Sequence, residues 1–181
     1  MLQIETPRLR LVPCTVGAAQ AAKSDRAALE ALLGARVPGD WPAEDLRDFL
    51  PVYAKIVDEQ AARQGWGIWL MLGLSEGSLV GDIGFKGPPD DFQTVEIGYS
   101  VLPAFRGRGY ATEAARALID WGFAQPGVQR IVANCLADNA ASIRVLEKAG
   151  MRQTGRDPEG LTWEALPDDI GRVQARTNTE K

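Results

Sequence analysis

The chain has 181 residues, 45% of them hydrophobic and 24% charged, which is typical of a globular domain with a hydrophobic core. Its net charge of −4 argues against nucleic-acid binding, which normally depends on a basic surplus. The absence of histidine excludes histidine-based triads and removes the commonest ligand of transition metals, so no bound metal is expected. No apolar run approaches the ~20 residues of a membrane span, and the first ten residues lack a signal-peptide pattern. We therefore expect a cytoplasmic protein.

The first third of the chain predicts one strand followed by helices. Residues Thr6–Pro13 alternate leucine with arginine, which indicates a strand with one buried face. Thr15–Leu33 is rich in alanine at helical spacing, and Ser24-Asp25 breaks or recaps it, so one or two helices are expected. A further helix is predicted from about Pro42 to Arg63, and Pro51 should kink or split it.

From Trp66 onward the hydrophobic period changes to two, which indicates strands. Three strands in a meander are followed by alternating helices and strands, predicted at residues 67–72, 78–86, 94–102 (strands), 110–124 (helix), 128–136 (strand), 139–149 (helix), 151–156 and 161–166 (strands). Residues 1–166 are therefore predicted to form a single α/β domain, and the polar residues 167–181 a C-terminal tail.

A glycine- and arginine-rich loop joins the third strand of the meander to the next helix. Its residues are Arg106, Gly107, Arg108, Gly109, Tyr110, Ala111 and Thr112. A helix N-terminus offers free backbone N–H groups and a positive dipole end, and glycines let the backbone approach a ligand closely. The pattern therefore predicts a pyrophosphate site.

Two familiar nucleotide-binding loops fit this stretch poorly. A P-loop would require Gly-Lys-Ser/Thr after its glycines, and that tripeptide is absent. The dinucleotide pattern G-x-G-x-x-G would place glycine or alanine at Thr112 and would follow an early βαβ strand, whereas this loop follows a meander.

Arg106, Gly109 and Ala111 match (Gln/Arg)-x-x-Gly-x-(Gly/Ala), and through this acetyl-CoA signature the chain resembles the GNAT N-acetyltransferases. Three further segments match in order. Thr6–Leu11 resembles the opening of the branch that contains the ribosomal-protein N-terminal acetyltransferases, Glu96–Tyr99 its central strand, and Asn139–Gly150 its last helix. The similarity is strong from Glu96 to Gly150 and loose over residues 14–65, which in this family usually shape the acceptor pocket.

The resemblance implies a GNAT-type fold of the α/β (α+β) class, with a mixed, mostly antiparallel sheet splayed at its centre and flanked by helices. It implies acetyl-CoA as cosubstrate, with its pyrophosphate on the N–H groups of residues 106–112. The pantetheine arm would pair with Val101 and Leu102 through main-chain bonds, and an N–H near Val101 would hold the thioester oxygen. The amine would attack the acetyl group directly, without a metal.

Glu96 is the predicted catalytic carboxylate. It shares a strand face with Gly98 and Ser100, while Ile97 and Tyr99 take the other face. Family members often use this glutamate, through water, to remove the proton of the amine. An ordinary glutamate pKa near ~4.3 matches an ammonium group poorly, so a water relay or burial must help. The alternative is a glutamate that only orients substrate or pairs with an arginine.

Asn139 and Ser142 are three residues apart and therefore share a helix face. Asn139 is either a contact of the pantetheine arm or a simple N-cap. Many GNAT enzymes protonate the leaving thiolate with a tyrosine at the position that Leu146 occupies here. The ribosomal-protein branch instead has serine at the Ser142 position, so Ser142 is the candidate thiolate partner, the alternative being an ordinary helix hydroxyl.

The leading acceptor, by resemblance, is a protein N-terminal α-amine. A small-molecule amine such as an antibiotic, a polyamine or an amino acid is the alternative within the same reaction. A non-catalytic acyl-CoA-binding module is a different reading of the same motifs, and a nucleotide-binding protein is disfavoured by the missing P-loop lysine. Members of this branch are often dimers, so a homodimer is also expected.

Overall fold

The computed structural model describes residues 2–59 and 65–167. Within these ranges an eight-stranded sheet is flanked by five α-helices, and a short 3₁₀ helix spans Pro103–Phe105. The bounds are β1 Ile4–Glu5, β2 Leu9–Pro13, α1 Val16–Ser24, α2 Arg26–Leu33, α3 Glu44–Glu59, β3 Ile68–Gly73, β4 Ser78–Phe85, β5 Thr94–Val101, α4 Tyr110–Phe123, β6 Arg130–Cys135, α5 Ala140–Lys148, β7 Arg152–Asp157 and β8 Gly160–Ala165. The predicted tail beyond Pro167 and the predicted helix end at Arg63 lie outside the described residues. In the part of the chain described, no helix has the length and apolar composition needed to span a membrane.

The sheet has the order β1-β2-β3-β4-β5-β6-β8-β7, and every neighbouring pair is antiparallel except β5 and β6. These two central strands are parallel and pair only over Thr94–Glu96 and Arg130–Val132. Beyond Glu96 they diverge, which opens a gap in the middle of the sheet. The predicted fold, a mixed and mostly antiparallel sheet that splays at its centre between helices, is confirmed.

The register of β5 determines which of its main-chain groups face this gap. The Lys86 N–H donates to the Glu96 carbonyl, and the Leu102 N–H donates to the Val80 carbonyl, so the even-numbered residues bond to β4. Main-chain groups of a strand point alternately to its two sides. The odd-numbered residues past Glu96, including Val101, therefore direct their N–H and C=O groups into the gap.

Helices cover both faces of the sheet and bury two hydrophobic cores. On one face α4 packs through Ala114 and Leu118 against strand residues such as Met71 and Ile97. On the other face α1, α2 and α3 pack against β3 and β4, for example through Leu50. The change from leucine-arginine alternation in β2 to a fully apolar β3 follows from this two-sided coverage, because an inner strand is buried on both faces.

Two local predictions can be compared with the structure. Asp25 ends α1 and caps α2 by accepting from the Ala28 N–H, so the alanine-rich segment forms two helices. Of the two predicted effects of Pro51, a kink or a split, the split is wrong, since α3 is one helix of 16 residues beginning at Glu44. Burial of its apolar stripe, including Leu50 and Tyr53, offsets the backbone bond that proline cannot make.

Candidate active site

The gap between β5 and β6 widens into a cleft of about 530 Å³, which we call the α5 cleft. Strand β5, the loop of residues 106–112 and helix α5 form its walls. The predicted site residues that line it are Val101, Arg106, Gly107, Gly109, Tyr110, Ala111, Thr112, Asn139 and Ser142. Residues separated by some 40 positions in the sequence are therefore brought to one cleft, while Glu96, Leu102 and Arg108 do not line it.

The loop at the floor of the cleft has the conformation that an anion site needs. Gly107 and Gly109 have φ of +73° and +82°, a left-handed backbone that residues with a Cβ rarely adopt. Gly109 is the N-cap of α4 and offers no side-chain cap, so the first N–H groups of the helix remain directed out of its N-terminus. A phosphate fits such an end through both the N–H groups and the helix dipole.

The N-terminal Thr6–Leu11 segment holds this loop from below. Arg8 donates from Nε to Glu113 Oε2 at 2.7 Å and from Nη1 to the Arg108 carbonyl at 2.8 Å. Thr6 Oγ1 donates to the other Glu113 oxygen at 2.6 Å. Burial of the Glu113 carboxyl acts to raise its pKa, but the hydrogen bonds from Thr6 and Arg8 outweigh burial and lower the pKa below its ordinary value. The loop is thus tied to β2 by a carboxylate that stays charged.

A second carboxylate, Glu76 in the β3–β4 turn, holds the other side of the loop. It accepts a short hydrogen bond from the Tyr110 hydroxyl, and Arg108 Nη1 lies 3.9 Å away. The Tyr110 hydrogen bond is the main cause that lowers the pKa of Glu76, and the same bond raises the pKa of Tyr110. The Arg8 guanidinium lies 4.9 Å from the centre of the Tyr110 ring. Sequence analysis missed Arg8, Glu76 and Glu113, because contacts made across the fold leave no local motif.

Val101 and Leu102 differ in where their main-chain groups point. The Val101 N–H points into the gap, and its carbonyl accepts from Arg106 Nε at 2.9 Å, which fixes the loop against the strand end. Leu102 differs from the expectation, because its N–H already bonds to Val80 and its carbonyl accepts from the Phe105 N–H. Of the two residues expected to pair with a pantetheine arm, only Val101 presents a main-chain group to the cleft.

Asn139 and Ser142 lie on the opposite wall of the cleft. The Asn139 side chain accepts from the Ser142 N–H at 3.0 Å and so caps α5, as one of its two predicted roles required. Tyr99 reaches across from β5 and donates to the Ser142 carbonyl at 3.3 Å, which sets the distance between strand and helix. Burial raises the pKa of Tyr99 above its ordinary value. Its hydroxyl therefore stays protonated near neutral pH and can keep donating.

Glu96 lies on β5, and its carboxylate contacts Lys86 and Asn134. Lys86 Nζ lies 2.6 Å from Glu96 Oε1, and Asn134 Nδ2 donates to the same oxygen at 3.0 Å. Glu96 was expected, as an alternative to the base role, to pair with an arginine; it pairs with a cation, but that cation is Lys86. The described residues that line the α5 cleft, and those that line two further cavities beneath α3, do not include Glu96.

Two further cavities, here called the α3 cavities, lie between helix α3 and the floor formed by β4 and β5. One has about 390 Å³ and is lined by aromatic residues such as Phe49 and Tyr53. The other has about 430 Å³ and shares Tyr99 and Ser100 with the α5 cleft. Both are lined by Phe49 and Asp82. The α5 cleft and this second cavity therefore adjoin at Tyr99 and Ser100, near the C-terminal end of β5.

Asp82 is the carboxylate of this second space, and the sequence analysis missed it. The Trp41 indole N–H donates to Asp82 Oδ2 at 2.8 Å. Burial raises the pKa of Asp82 to about 6, while the Trp41 hydrogen bond lowers it and the negative charge of Asp45 raises it. A single aspartate in the otherwise apolar strand 78–85 was the available signal.

Comparisons with known proteins agree with this geometry. The family model of the acetyltransferase (GNAT) domain matches residues 8–152. The uncharacterised N-acetyltransferase YjdG of Bacillus subtilis (strain 168) is 34% identical over 164 residues, which cover 90% of this chain and 97% of YjdG.

Two solved structures share the fold at low identity. The ribosomal-protein α-N-acetyltransferase RimL in complex with coenzyme A has a TM-score of 0.66 at 19% identity and covers 93% of this chain and 99% of its own. The aminoglycoside acetyltransferase AAC(6')-Ib in complex with coenzyme A has a TM-score of 0.61 at 20% identity and covers 92% and 99%. The family model, the relatives and the fold lead to one conclusion: the chain belongs to the GNAT family and is an acetyl-CoA-dependent N-acetyltransferase.

Proposed function

We propose that the protein transfers an acetyl group from acetyl-CoA to a primary amine by direct attack in a ternary complex, with a protein N-terminal α-amine as the leading acceptor. The observation that carries the proposal is that the α5 cleft and one of the α3 cavities share Tyr99 and Ser100 as lining residues. A cosubstrate that enters from one side and an amine that enters from the other would bring their reacting atoms together at this point.

In this proposal the α5 cleft holds the cosubstrate. The pyrophosphate lies on the N–H groups from Gly107 to Thr112, and the positive charge of Arg106 and Arg108 adds to the dipole of α4. The pantetheine arm follows the open edge of β5. The Val101 N–H, which faces the gap, then donates to the thioester oxygen and stabilises the negative charge that develops there during attack.

The reaction needs two proton transfers around one displacement. The neutral amine forms the C–N bond as the C–S bond breaks, and the thiolate takes up a proton as it leaves. Ser142, which lines the α5 cleft, is the proposed partner of that thiolate. For Glu96 we propose a water- or substrate-positioning role, since its charge already pairs with Lys86 at 2.6 Å.

The acceptor enters over the α3 cavities. The Phe49 side chain there is 46% exposed, so the cavities open to solvent and a longer chain can extend outward from its reacting end. RimL is described as acting on a ribosomal protein and AAC(6')-Ib as an aminoglycoside acetyltransferase, so the fold serves acceptors of both sizes. A small-molecule amine is therefore the second candidate. The homodimer expected from the resemblance is a separate proposal, and light scattering would measure whether the protein is a dimer in solution.

An acceptor screen tests the proposal. Short peptides with free α-amines, the same peptides with blocked N-termini, spermidine and an aminoglycoside are incubated with acetyl-CoA, and thiol release and product mass are followed. We expect acetylation of a free peptide and none of its blocked counterpart. Acetylation of the polyamine or the aminoglycoside alone would replace the leading acceptor by the second candidate. Thiol release with no acetylated product from any amine would contradict the proposal.

A further inference from the structure

We infer that Asp82 is the base of the reaction: it receives the acceptor as a primary ammonium group at the junction of the α3 cavities, with the apolar part of the acceptor under α3. The inference rests on the proposed function and adds to it the residue that takes the proton and the class of amine. Three observations carry it: the position of Asp82, its support and its surroundings.

The position follows from the sheet register. Asp82 in β4 lies directly opposite Ser100 in β5, so the two side chains share one face of the sheet. The next pair on that face is Gly84 and Gly98, which leaves the floor free of bulk. Ser100 also lines the α5 cleft, and Val101 follows it. Asp82 is thus the carboxylate nearest in register to the proposed site of the thioester.

The support comes from a residue that precedes α3. Trp41 is 1% exposed, and its indole N–H donates to Asp82 Oδ2 at 2.8 Å. A carboxylate accepts several hydrogen bonds, so the indole orients the group without exhausting its capacity for an ammonium donor. By contrast, Glu96 accepts from both Lys86 and Asn134 and lies outside the cavities that an acceptor would fill.

The surroundings suit a cation with an apolar stem. The walls above Asp82 are aromatic and aliphatic, with Phe49, Tyr53 and Ile56 from α3. The charged groups around Asp82 are Asp45 on α3 and Lys86 at the end of β4, and the Cys14 thiol interacts with it electrostatically. Burial raises the pKa of Cys14 to about 12, so this thiol is neutral and does not compete for the proton.

The proton balance is closed by these residues. The Asp82 carboxylate takes one proton from R–NH₃⁺, and the resulting amine attacks the thioester carbon. The second proton of the nitrogen passes to the departing sulfur, through Ser142 or water, and Asp82 returns its proton to solvent. The raised pKa of Asp82, about 6, leaves it ionised at neutral pH but a stronger base than an ordinary aspartate.

Phenethylamine is a suitable probe, because it is a primary amine on an aromatic stem and resembles the first residue of a peptide. With wild-type protein and acetyl-CoA we expect thiol release and N-acetylphenethylamine. Asp82→Asn keeps an oxygen for the Trp41 indole but cannot take the proton, so kcat/KM should fall by about 10²-fold, the loss typical of removing a general base. Its pH profile should also lose the acid limb near pH 6, while calorimetric affinity for CoA stays unchanged.

Three further variants control this result. Asp120→Asn makes the same chemical change on α4, at a position whose residue is exposed overall. Partial burial of the carboxyl group also raises the pKa of Asp120. This variant should leave kcat/KM unchanged. Glu96→Gln should cost much less than Asp82→Asn. Trp41→Phe removes the hydrogen bond that lowers the pKa of Asp82, so the acid limb should move to higher pH, which keeps the inference testable if Asp82→Asn fails to fold.

The outcomes separate the inference from the proposed function. An Asp82→Asn variant with wild-type kcat/KM and an intact acid limb would overturn the role of Asp82, as would a Trp41→Phe variant whose limb does not move. Wild-type protein that acetylates peptides but not phenethylamine would overturn the class of acceptor and leave the proposed function standing. Wild-type protein that acetylates no amine at all would overturn both.

Discussion

The α5 cleft adjoins one of the α3 cavities near the C-terminal end of β5, but the cleft and the cavities are built in opposite ways. Most of the α5 cleft comes from two short, contiguous segments, residues 106–112 and 139–142, with β5 between them in the fold. The α3 cavities combine residues from α3, β3, β4 and β5, and two of these residues, Phe49 and Ser100, lie 51 positions apart in the sequence. In the proposed function the first site would bind through backbone groups set by local conformation, and the second through side chains set by tertiary packing.

This difference explains how a fold can keep its cosubstrate while its acceptor changes. A backbone site needs a positive φ at two glycines and a helix N-terminus. Most substitutions of these glycines would therefore destroy the site. A side-chain site is redefined by single substitutions on α3 or β4 that leave the sheet intact. Substitutions in the α5 cleft and in the α3 cavities therefore test the two sites separately.

Gly109→Val should damage the α5 cleft most. Gly109 has φ +82°, and a Cβ there would lie 3.3 Å from the Arg8 guanidinium, so valine would be strained and would displace the loop. Loss of two charge-assisted N–H to phosphate bonds, each worth ~1.5–3 kcal/mol, would weaken CoA binding by at least about 10²-fold. Calorimetric titration with CoA measures this change.

Gly127→Val is the matched control for that prediction. Gly127 has the same φ of +82° in the turn before β6, and nothing lies within 4 Å of its hypothetical Cβ. Both variants should lose similar stability from backbone strain, but only Gly109→Val should lose CoA affinity. Equal CoA affinities in the two folded variants would show that the loop does not hold the pyrophosphate.

Arg8→Gln should weaken CoA binding without touching the cleft. The change removes the ion pair with Glu113 and the bond to the Arg108 carbonyl, which hold the loop from below. Since Arg8 is half-exposed, we expect a moderate loss of about 10-fold in CoA affinity, equivalent to one charged hydrogen bond. Arg156→Gln, an exposed change on β7, should have no effect, and equal affinities in both would reject the supporting role of Arg8.

Asp82→Asn should stabilise the fold at neutral pH more than at acid pH. Burial raises the folded-state pKa of Asp82 to about 6, above its ordinary value of 3.8, so folding favours its protonated form. The cost of the buried charge is absent below about pH 4 and complete above about pH 6. Relative to wild type, the variant should gain on the order of 1–3 kcal/mol at pH 7, a Tm increase of several degrees, and little at pH 4.

Thermal scans of the two proteins across this range measure the gain. A Tm difference that grows as the pH falls would reverse the predicted sign. It would mean that the ionised carboxylate stabilises the fold.

Glu96→Gln should have the smallest effect. If Glu96 only positions water or substrate, losing its charge should lower kcat/KM by about threefold, well below the ~10²-fold loss expected for a general base. Its pH profile should keep the acid limb. A loss as large as that of Asp82→Asn would instead return the base role to Glu96.

The strands of the meander and the glycine loop could be predicted from local patterns, and the central splay of the sheet followed from the family resemblance that those patterns carry. Gly109 and Ala111 identify the loop from their neighbours alone, and the period of two after Trp66 identifies the meander. The continuous helix through Pro51 was not predictable in the same way, because burial of its apolar stripe decides it. Arg8, Glu76 and Glu113 acquire their roles only through contacts across the fold.

Asp82 shows the same limit in the catalytic centre. A carboxylate in strand 78–85 has no motif around it, and its significance depends on Trp41 and Ser100, which reach it through a loop and a neighbouring strand. Glu96, in contrast, was selected by resemblance, and the structure gives it a lysine partner that a sequence cannot show. Local motifs therefore locate the cosubstrate, and tertiary contacts are needed to locate the acceptor.

The most direct test of the two-cleft account is a crystal structure with CoA joined through its sulfur and a carbonylmethyl linker to phenethylamine. We expect the pyrophosphate at the N–H groups of residues 107–112, the linker carbonyl at the Val101 N–H, and the amine nitrogen facing Asp82 with its ring beneath Phe49. A structure with the pyrophosphate away from that loop, or with the phenethyl group outside the α3 cavities, would contradict it.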